Sequence, residues 1–196
     1  MVKKICVIIN NRANYGRVKS LLQAIKKHKR LKLQLILESS SILARFGSVN
    51  EVIKKDGFRA DEIIYTVIEG ENPTTMAKSA GLAVIELTTI FGKLKPDIVL
   101  TIADRYETLP IAIAATYMNI PLAHTQGGEM TGSIDESVRH ATSKLAHIHF
   151  PSTIKSKINL IKMGENPKYV FLTGCPSLDL IKNSNLSIDN NFIKKY

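Results

Sequence analysis

Short runs of apolar residues alternate along the chain with stretches in which apolar residues recur every three or four positions. The runs predict strands, and the amphipathic stretches predict helices between them. The predicted strands are Ile5–Ile9, Leu33–Leu37, Glu62–Val67, Asp97–Ile102, Pro121–Thr125, Ile148–Pro151 and Tyr169–Thr173. The predicted helices lie near residues 15–28, 44–56, 74–94, 107–118, 134–146 and 153–163.

This alternation predicts an α/β fold, a Rossmann-like doubly wound parallel sheet with helices on both faces. Uninterrupted apolar strands such as Ile98–Leu100 indicate burial on both faces of the sheet. The pattern ends near Gly174, and residues 183–191 are mostly polar. We therefore predict one domain over residues 1–179, followed by a linker or tail over residues 180–196.

The composition is that of a soluble globular domain, with 44% hydrophobic and 22% charged residues among 196. No apolar run is long enough to cross a membrane, and the run after Lys3 and Lys4 is too short for a signal peptide. Cys6 and Cys175 match no metal or redox spacing. We expect a cytoplasmic protein without a metal site, a cofactor or a membrane partner.

The formal net charge is +10, and residues 17–32 contain seven basic side chains and no acidic one. A nucleic-acid-binding patch is one interpretation of this segment. The alternative is a helix that buries Val18, Leu21, Leu22 and Ile25 and turns its lysines to water. No aromatic residues interleave with the charges to stack on bases, so we favour the helix and expect no nucleic-acid partner.

Ligands bind open parallel sheets beyond the carboxyl ends of the strands, near the point where the strand order reverses. Polar clusters follow three predicted strands: Arg12, Asn14 and Arg17 after the first, Asp104, Arg105 and Glu107 after the fourth, and His124, Gln126 and Glu129 after the fifth. In doubly wound order the first and fourth strands are neighbours and the fifth is next. We therefore expect the clusters to share one crevice. Neither a Gly-x-Gly-x-x-Gly fingerprint nor a P-loop is present, which argues against dehydrogenases and P-loop nucleotidases.

Residues 124–140 concentrate imidazoles, carboxylates, an arginine and glycines in one strand-to-helix connection. Gly127 and Gly128 either let the backbone approach a ligand or make a tight turn, and the following helix N-terminus suits phosphate. Ser133 and Glu136 have the spacing of a capping box, which predicts a structural role for Glu136.

The helix after this loop has an expected apolar stripe and two expected side-chain pairs. We expect Asp135 and Arg139 on the rim of the crevice, where their spacing allows an ion pair; Glu136 and His140 have the same spacing. The expected buried stripe consists of Ile134, Val138, Ala141 and Leu145.

Several of these residues also have purely structural interpretations. Asp104 is either a ligand-facing carboxylate, which we favour, or a structural residue that forms the N-cap or a surface ion pair of the next helix. His124 fits a hydrogen-bonded core histidine as well as a ligand contact. His147 and His149 are interpreted as structural, and Tyr15 and Tyr106 either stack on a sugar or cover the loops.

At these residues the chain resembles the hydrolysing UDP-N-acetylglucosamine 2-epimerases. The matching pieces occur in a consistent order over nearly the whole chain. They are Arg12-Ala13-Asn14-Tyr15, Asp104-Arg105, His124-Thr-Gln-Gly-Gly-Glu129, Thr131-Gly-Ser-Ile-Asp-Glu136, Arg139-His140-Ala141, Lys144-Leu-Ala-His147 and Gly174-Cys-Pro-Ser-Leu-Asp179.

The resemblance implies the N-terminal half of a GT-B fold, in which two Rossmann-like domains face each other across a cleft. The second domain carries most of the uridine and diphosphate contacts in that family, so this chain alone is expected to be inactive. The implied reaction eliminates UDP across C1 and C2 of a UDP-2-acetamido sugar. Water then adds at C1, and a proton returns to the other face of C2.

The resemblance also implies roles for individual residues. The acidic positions Asp104 and Asp135 and the substrate-contact arginines Arg12 and Arg139 match the family. Gln126 and Asn14 stand where many members have acids; an amide transfers no protons at neutral pH. Glu129 is our hypothesis for the replacement acid or base. The expected catalytic group is Asp104, Asp135, Glu129, Gln126 and His124, and the expected substrate-binding group is Arg12, Asn14, Arg105, Gly127, Gly128, Arg139 and His140.

Both departures resemble a branch that acts on a 2,4-diacetamido sugar nucleotide for nonulosonate synthesis, such as that of legionaminic or sialic acid. One expected partner is the nucleotide sugar. Further copies of the chain are also expected, because helix 74–94 carries more apolar residues than one packing face needs. The alternative is a non-catalytic sugar-nucleotide-binding domain that acts with a partner chain.

Overall fold

The computed structural model describes residues 1–183 and confirms the α/β architecture. The strands are β1 (Lys3–Ile9), β2 (Leu31–Leu37), β3 (Glu62–Ile63), β4 (Ile98–Ile102), β5 (Leu122–Thr125) and β6 (Ile148–Phe150). The α-helices are α1 (Arg12–Lys27), α2 (Val49–Lys55), α3 (Pro73–Leu94), α4 (Thr108–Tyr117), α5 (Ile134–Leu145), α6 (Ile154–Lys162) and α7 (Pro176–Asn183). Short 3-10 helices cover Ser39–Ile42, Ala44–Phe46 and Pro167–Tyr169.

The strands form one parallel sheet in the order β3-β2-β1-β4-β5-β6, so the order reverses between β1 and β4 as predicted. Alternate residues of β1 enter two separate apolar cores. Val7 packs with α1 and α2 on one face, and Ile8 packs with α3 and α4 on the other. The sheet is thus covered on both faces, which explains its uninterrupted apolar strands.

Helix α1 begins at Arg12, three residues before the prediction, because the Asn11 side chain caps it by accepting from the backbone N–H of Asn14. Its buried residues include Val18, Leu22 and Ile25, which confirms the expected apolar face. The predicted helix 44–56 is interrupted at Gly47, where φ is +76°, and only Val49–Lys55 is α-helical.

Two predicted strands are wrong in extent. The strand predicted over Glu62–Val67 has two paired residues, because β2 ends at Leu37 and leaves the later residues without a ladder partner. The segment 169–173 runs beside β6 but forms only one isolated bridge, between His149 and Val170. Helix α7 was not predicted and continues to Asn183, past the predicted domain boundary at residue 179. The rest of the predicted linker, residues 184–196, lies outside the described residues.

The expected apolar stripe of α5 is wrong in part: Val138, Ala141 and Leu145 are half-buried, and Leu145 packs against the core. Ile134 is exposed, and the buried residues of this helix are Arg139, Thr142 and Ser143. The helix therefore packs a polar face against the sheet, and this face contributes to the candidate site. Within residues 1–183, no helix is long and apolar enough to cross a membrane.

Candidate functional site

The carboxyl ends of β1, β4 and β5 lie side by side, and the loops that follow them carry the predicted polar clusters to one edge of the sheet. This edge includes the point where the strand order reverses, which is where open parallel sheets bind ligands. The strand order therefore supports the expectation of a shared crevice.

An ion pair between Asp104 and Arg139 joins two of these loops. Asp104 follows β4, and its Oδ2 accepts from Nη2 of Arg139 on α5. The Arg139 side chain is 1% exposed and the Asp104 side chain 22%, so the carboxylate is the partner with access to solvent. Asp104 is not the N-cap of α4; that position belongs to Glu107. The expected partner Asp135 is not used, because Arg139 points into the protein.

Arg139 also holds the loop between β5 and α5. Its Nη1 donates to the carbonyl oxygen of Glu129 at 2.5 Å. The guanidinium thus ties the Glu129 backbone to the carboxylate of Asp104, with two donors in one rigid plane. Glu129 itself is half-buried in this loop, beside the predicted catalytic positions.

His124 is fully buried at the end of β5 and has a partner on each ring nitrogen. Nε2 lies 2.7 Å from the Ala103 carbonyl oxygen, and Nδ1 lies 3.0 Å from Oγ of Ser143. A carbonyl only accepts, so Nε2 carries the hydrogen and Nδ1 accepts from the serine. Burial lowers the pKa of His124 to about 4, so the ring is neutral near pH 7. This geometry favours the structural interpretation of His124.

The backbone turns sharply after both β4 and β5. Ala103 and Gln126 have φ values of +62° and +61°, in the left-handed region that residues with a side chain seldom occupy. The Nε2–H of His124 donates to the Ala103 carbonyl, directly before Asp104. Strained backbone of this kind concentrates at functional sites, where neighbouring contacts hold it in place.

Gln126 is buried and bridges two other parts of the site. Its Oε1 accepts from Nη1 of Arg17 at 3.3 Å, and its Nε2 donates to Sγ of Cys175 at 3.5 Å. Cys175 was not predicted as a site residue, and its only sequence signal was its place in the matched Gly174–Asp179 segment. Gln126 therefore links α1 and the start of α7 to the β5 loop.

Gly127 and Gly128 are buried against helices. A Cβ on Gly127 would lie 2.8 Å from Oγ of Ser143, and a Cβ on Gly128 would lie 2.2 Å from the carbonyl oxygen of Ser156. The lack of a side chain is thus needed for the loop to pack on α5 and α6. This packing supports the tight-turn interpretation of both glycines.

On the β1 side, Asn14 and Arg12 have different environments. Asn14 is buried, and its Oδ1 accepts from the amide of Asn11 at 2.9 Å. Arg12 is exposed at the first turn of α1. Tyr15 is buried and donates to Asp56 at 2.6 Å, which supports the loop-covering interpretation.

A cavity of about 600 Å³ opens beside these loops. Arg12, Arg105, Tyr106 and Glu107 line one side of it, and residues 67–76 line the other. Nε of Arg105 lies 3.2 Å from Oε2 of Glu107, which is buried. The volume is that of a pocket for a small organic ligand. Its lining carries charges of both signs, namely Arg12, Arg45 and Arg105 with Glu69, Glu71 and Glu107.

The start of α5 differs from the capping-box expectation. Ser133 makes no side-chain cap, and the carboxylate of Glu136 instead accepts from the backbone N–H groups of Thr131 and Gly132. These two donors lower the pKa of Glu136. Glu136 also lies 3.7 Å from His140, as its spacing allowed. Its role is structural, as expected, although the contacts differ.

Asp135 is half-buried in the first turn of α5, where the helix dipole favours a negative charge. His147 accepts from the Leu122 N–H at 3.3 Å, and His149 lies 3.2 Å from Glu165, which supports structural roles for both histidines. Among residues 1–183, no three potential ligands are grouped to hold a metal ion.

Sequence reasoning missed Glu38, which is fully buried directly after β2. Its signal was available, because a charged residue follows an apolar strand at the same edge of the sheet as the three clusters. The prediction used only the strands near the point where the strand order reverses, so it did not include the loop after β2.

Comparison with known proteins connects this geometry to a family. The family model described as UDP-N-acetylglucosamine 2-epimerase matches residues 23–196. The UDP-N,N'-diacetylbacillosamine 2-epimerase (hydrolyzing) of Legionella pneumophila is 37% identical over 196 residues, which cover 100% of this chain and 52% of that protein. The GDP/UDP-N,N'-diacetylbacillosamine 2-epimerase (hydrolyzing) of Campylobacter jejuni is 36% identical over 184 residues, covering 93% of this chain and 48% of that protein.

A solved structure shows the same fold. The UDP-GlcNAc 2-epimerase of Neisseria meningitidis bound to UDP-GlcNAc superposes with a TM-score of 0.82 at 23% identity, covering 98% of this chain and 52% of that chain. This similarity confirms the predicted Rossmann-like domain of the GT-B type. The chain spans about half the length of the curated relatives it matches. By the extent of the family match, the chain belongs to the UDP-N-acetylglucosamine 2-epimerase family.

Proposed function

We propose that this chain forms the sugar-facing half of the active site of a hydrolysing UDP-sugar 2-epimerase and acts together with a second domain. The observation that carries the proposal is the Asp104–Arg139 ion pair at the carboxyl edge of the sheet. A buried cation there holds a solvent-accessible carboxylate at the end of β4, in a family whose members are named for 2-epimerisation.

The proposed substrate is a UDP-2-acetamido sugar, UDP-N-acetylglucosamine or its 2,4-diacetamido relative UDP-N,N'-diacetylbacillosamine. The names of the Legionella and Campylobacter relatives support the diacetamido sugar. The product would be the free 2-epimer, which supports a role in nonulosonate synthesis.

The proposed reaction has two stages. A base removes the proton from C2 while the bond from C1 to the UDP oxygen breaks, and a C1–C2 double bond forms. Water then adds its hydroxyl group to C1, and C2 receives a proton on the opposite face. These steps need a carboxylate base, an acid and positive charge near the departing diphosphate.

The chain offers distinct groups for these tasks. Asp104 has one oxygen bound by Arg139, and Oδ1 has no protein partner among the described residues, so it is available to accept a proton. Asp135 and Glu129 are the further carboxyl groups of the site. Arg12 and Arg105 border the cavity and supply positive charge. His124 and Gln126 hold the loops in place.

Glu129 is proposed as the second proton-transfer group because Gln126 carries an amide. In an active protein, Glu129→Gln should lower kcat at least tenfold with little change in stability, because Arg139 contacts only the backbone carbonyl of residue 129. The matched control is Glu51→Gln on the exposed surface of α2. Undiminished turnover by Glu129→Gln would exclude this role.

The function is tested in a hybrid in which this chain replaces the matched part of the Legionella relative. UDP release is measured from both proposed sugars, with the hybrid, its Asp104→Asn variant and the 196-residue chain alone. We expect release by the hybrid, loss in Asp104→Asn and none by the chain alone. Binding of the sugar nucleotide without release by a folded hybrid would instead support the non-catalytic binding domain.

We further propose a cytoplasmic homo-oligomer. The two cysteines are free thiols, which supports a reducing compartment. On α3, Leu87 and Phe91 are buried whereas Ile85 is exposed, so an apolar side chain remains for contact with another copy. The molar mass from light scattering tests the oligomer, and a monomer at micromolar concentration would contradict it.

A further inference from the structure

Two buried glutamates lie at or next to the cavity, outside the groups used in the proposed reaction: Glu107 lines the cavity, and Glu38 directly precedes the lining residue Ser39. Glu38 follows β2 and is 0% exposed, and Glu107 directly precedes α4 and is 3% exposed. Glu107 has two donors, the Ser39 hydroxyl at 3.1 Å and Nε of Arg105 at 3.2 Å. No ion pair to Glu38 is found in residues 1–183, and its side chain has one donor, Nδ2 of Asn10 at 2.7 Å.

Each member of the Glu38–Asn10 pair keeps one buried polar atom without a partner. These atoms are Oε2 of Glu38 and Oδ1 of Asn10. When Glu38 is ionised, both atoms can only accept hydrogen bonds. A single proton on Oε2 would turn it into a donor toward the Asn10 oxygen, while Asn10 continues to donate to Oε1. A carboxylic acid and a primary amide then make two complementary hydrogen bonds, and both orphan atoms are satisfied.

We propose that Glu38 is held as a neutral carboxylic acid paired with the Asn10 amide, and that this acid–amide pair positions the loop that carries Asp104 and Arg105. An ionised Glu38 would be a buried charge without a cation, which is strongly unfavourable. The pairing does not depend on the proposed reaction.

The pair reaches the loop through Ser39. The backbone of Ser39 is left-handed, with φ of +54°, directly after Glu38. Its hydroxyl donates to Glu107, and Glu107 in turn accepts from Arg105. The backbone around Glu38 is also fixed, since Ser41 donates to the carbonyls of Asn10 and Glu38. The ends of β1 and β2 and the start of α4 are thus connected.

Other titratable groups near Glu38 act in the same direction. Burial and the neighbouring charge of Glu107 raise the pKa of Glu38 to about 8. Burial is the main cause that raises the pKa of Tyr106, in the loop before α4, and the charge of Glu107 is the next. Asn10, directly after β1, and the serines of the turn after β2 carry no charge. Above pH 8 the ionised Glu38 would face Glu107 across Ser39.

The titration of the wild-type chain tests the proposal directly. With glutamate labelled by ¹³C at the carboxyl carbon, we expect one carboxyl to titrate near pH 8, and the side-chain amide of Asn10 and the backbone amides of residues 104–107 to shift with the same midpoint. The result that overturns the proposal is titration of all glutamates below pH 6.

Variants assign that titration. Glu38→Gln keeps a neutral side chain that can donate to Asn10, so the variant should fold. It should lose the titration near pH 8, and the chemical shifts of the backbone amides of residues 104–107 should no longer change with pH. Relative to wild type, its unfolding equilibrium constant should fall about tenfold per pH unit between about pH 4.5 and 8. Glu38→Ala should destabilise the folded chain at every pH, because it removes the partner of the buried Asn10 amide. Persistence of the pH 8 titration in Glu38→Gln would refute the assignment.

The variant Glu107→Gln separates the two causes of the raised pKa of Glu38, which are burial and repulsion by the charge of Glu107. Burial is the larger cause of the raised pKa of Glu38, so the midpoint should move down in this variant but remain above pH 6. Return of Glu38 to the ordinary glutamate range would show that Glu107 alone keeps it protonated, which contradicts the acid–amide pair.

Discussion

At the residue scale, the site depends on a few buried polar side chains with assigned partners. Arg139 is the largest fully buried side chain of the described chain, and it is fully charged. A buried guanidinium is tolerated only when a carboxylate and further acceptors surround it. Asp104 and the Glu129 carbonyl provide those contacts, so this one residue connects α5 to the loops after β4 and β5.

The two partners of this ion pair should respond unequally to truncation. Asp104→Ala leaves a fully buried arginine without its carboxylate and should lower the free energy of unfolding by about 3–5 kcal/mol. Arg139→Met leaves Asp104 partly in contact with water and should lower it by less, about 1–3 kcal/mol. Urea unfolding measures both values. The exposed pair of Lys54 and Glu51 is the control, and Lys54→Ala should change stability by less than about 1 kcal/mol.

His124 should make stability depend on pH in the acid range. Its pKa is lowered to about 4 in the folded chain, so the unfolded chain takes up the proton first as the pH falls. The stability from His124 is complete above about pH 6.5 and is lost between pH 6.5 and 4, by about 3 kcal/mol in total.

The measurement is the difference in unfolding free energy between wild type and His124→Gln at each pH, which removes the contributions of other groups. The difference should shrink as the pH falls from 6.5 to 4. The same series with Gln23→Ala, an uncharged residue on the exposed face of α1, should stay flat. A constant difference for His124→Gln would mean that the imidazole is protonated without penalty.

At the element scale, the alternation of strands and helices and most helix positions followed from the period of the apolar residues, whereas the strand order was assumed from that of doubly wound sheets. The faces of the helices followed less well. In α5 the apolar residues have helical spacing, yet Arg139, Thr142 and Ser143 are buried instead. Apolar periodicity could not anticipate this, because the adjacent sheet residues His124 and Thr101 are themselves polar and buried.

Strand pairing was also underdetermined by the local pattern. Residues 169–173 form an apolar run typical of a strand, and the backbone N–H of Phe171 donates to the His149 carbonyl at 2.9 Å. The neighbour β6 has only three residues, so a full ladder cannot form beside it. Whether an apolar run becomes a strand depends on the length of a partner that is far away in the sequence.

The packing of the β5 loop on α6 gives a prediction at this scale. Gly128→Ala should lower stability by several kcal/mol or prevent folding, because φ is +81° and the new Cβ would lie 2.2 Å from the Ser156 carbonyl oxygen. Gly81→Ala is the matched control on α3, where the added Cβ would have no neighbour within 4 Å apart from the adjacent backbone of the same helix. Alanine there should raise stability by about 0.5–1 kcal/mol. The melting temperatures of both variants test this prediction. Equal melting temperatures would contradict the close packing of Gly128 against α6.

At the scale of the whole molecule, a basic chain presents its candidate site at one edge of a doubly wound sheet. The carboxyl-edge rule located Asp104, Arg105, Gln126 and Glu129 from the sequence, because strand ends can be read from apolar runs. The partners of these residues could not be read in the same way. Which helix face turns inward decides that Asp104 pairs with Arg139 and that Glu38 has no cationic partner among the described residues. Only the folded chain shows which face that is.

The central proposal is that this chain, together with a second domain, supports 2-epimerisation in which Asp104 removes the C2 proton and a second group returns a proton to the opposite face. The most direct test is the reaction of the hybrid protein with UDP-N,N'-diacetylbacillosamine in deuterated water, followed by NMR of the released sugar. We predict one solvent deuterium at C2 of a 2-epimerised product, released together with UDP, and loss of both signals in Asp104→Asn. Release of the sugar without deuterium at C2, or full turnover by Asp104→Asn, would contradict the proposal.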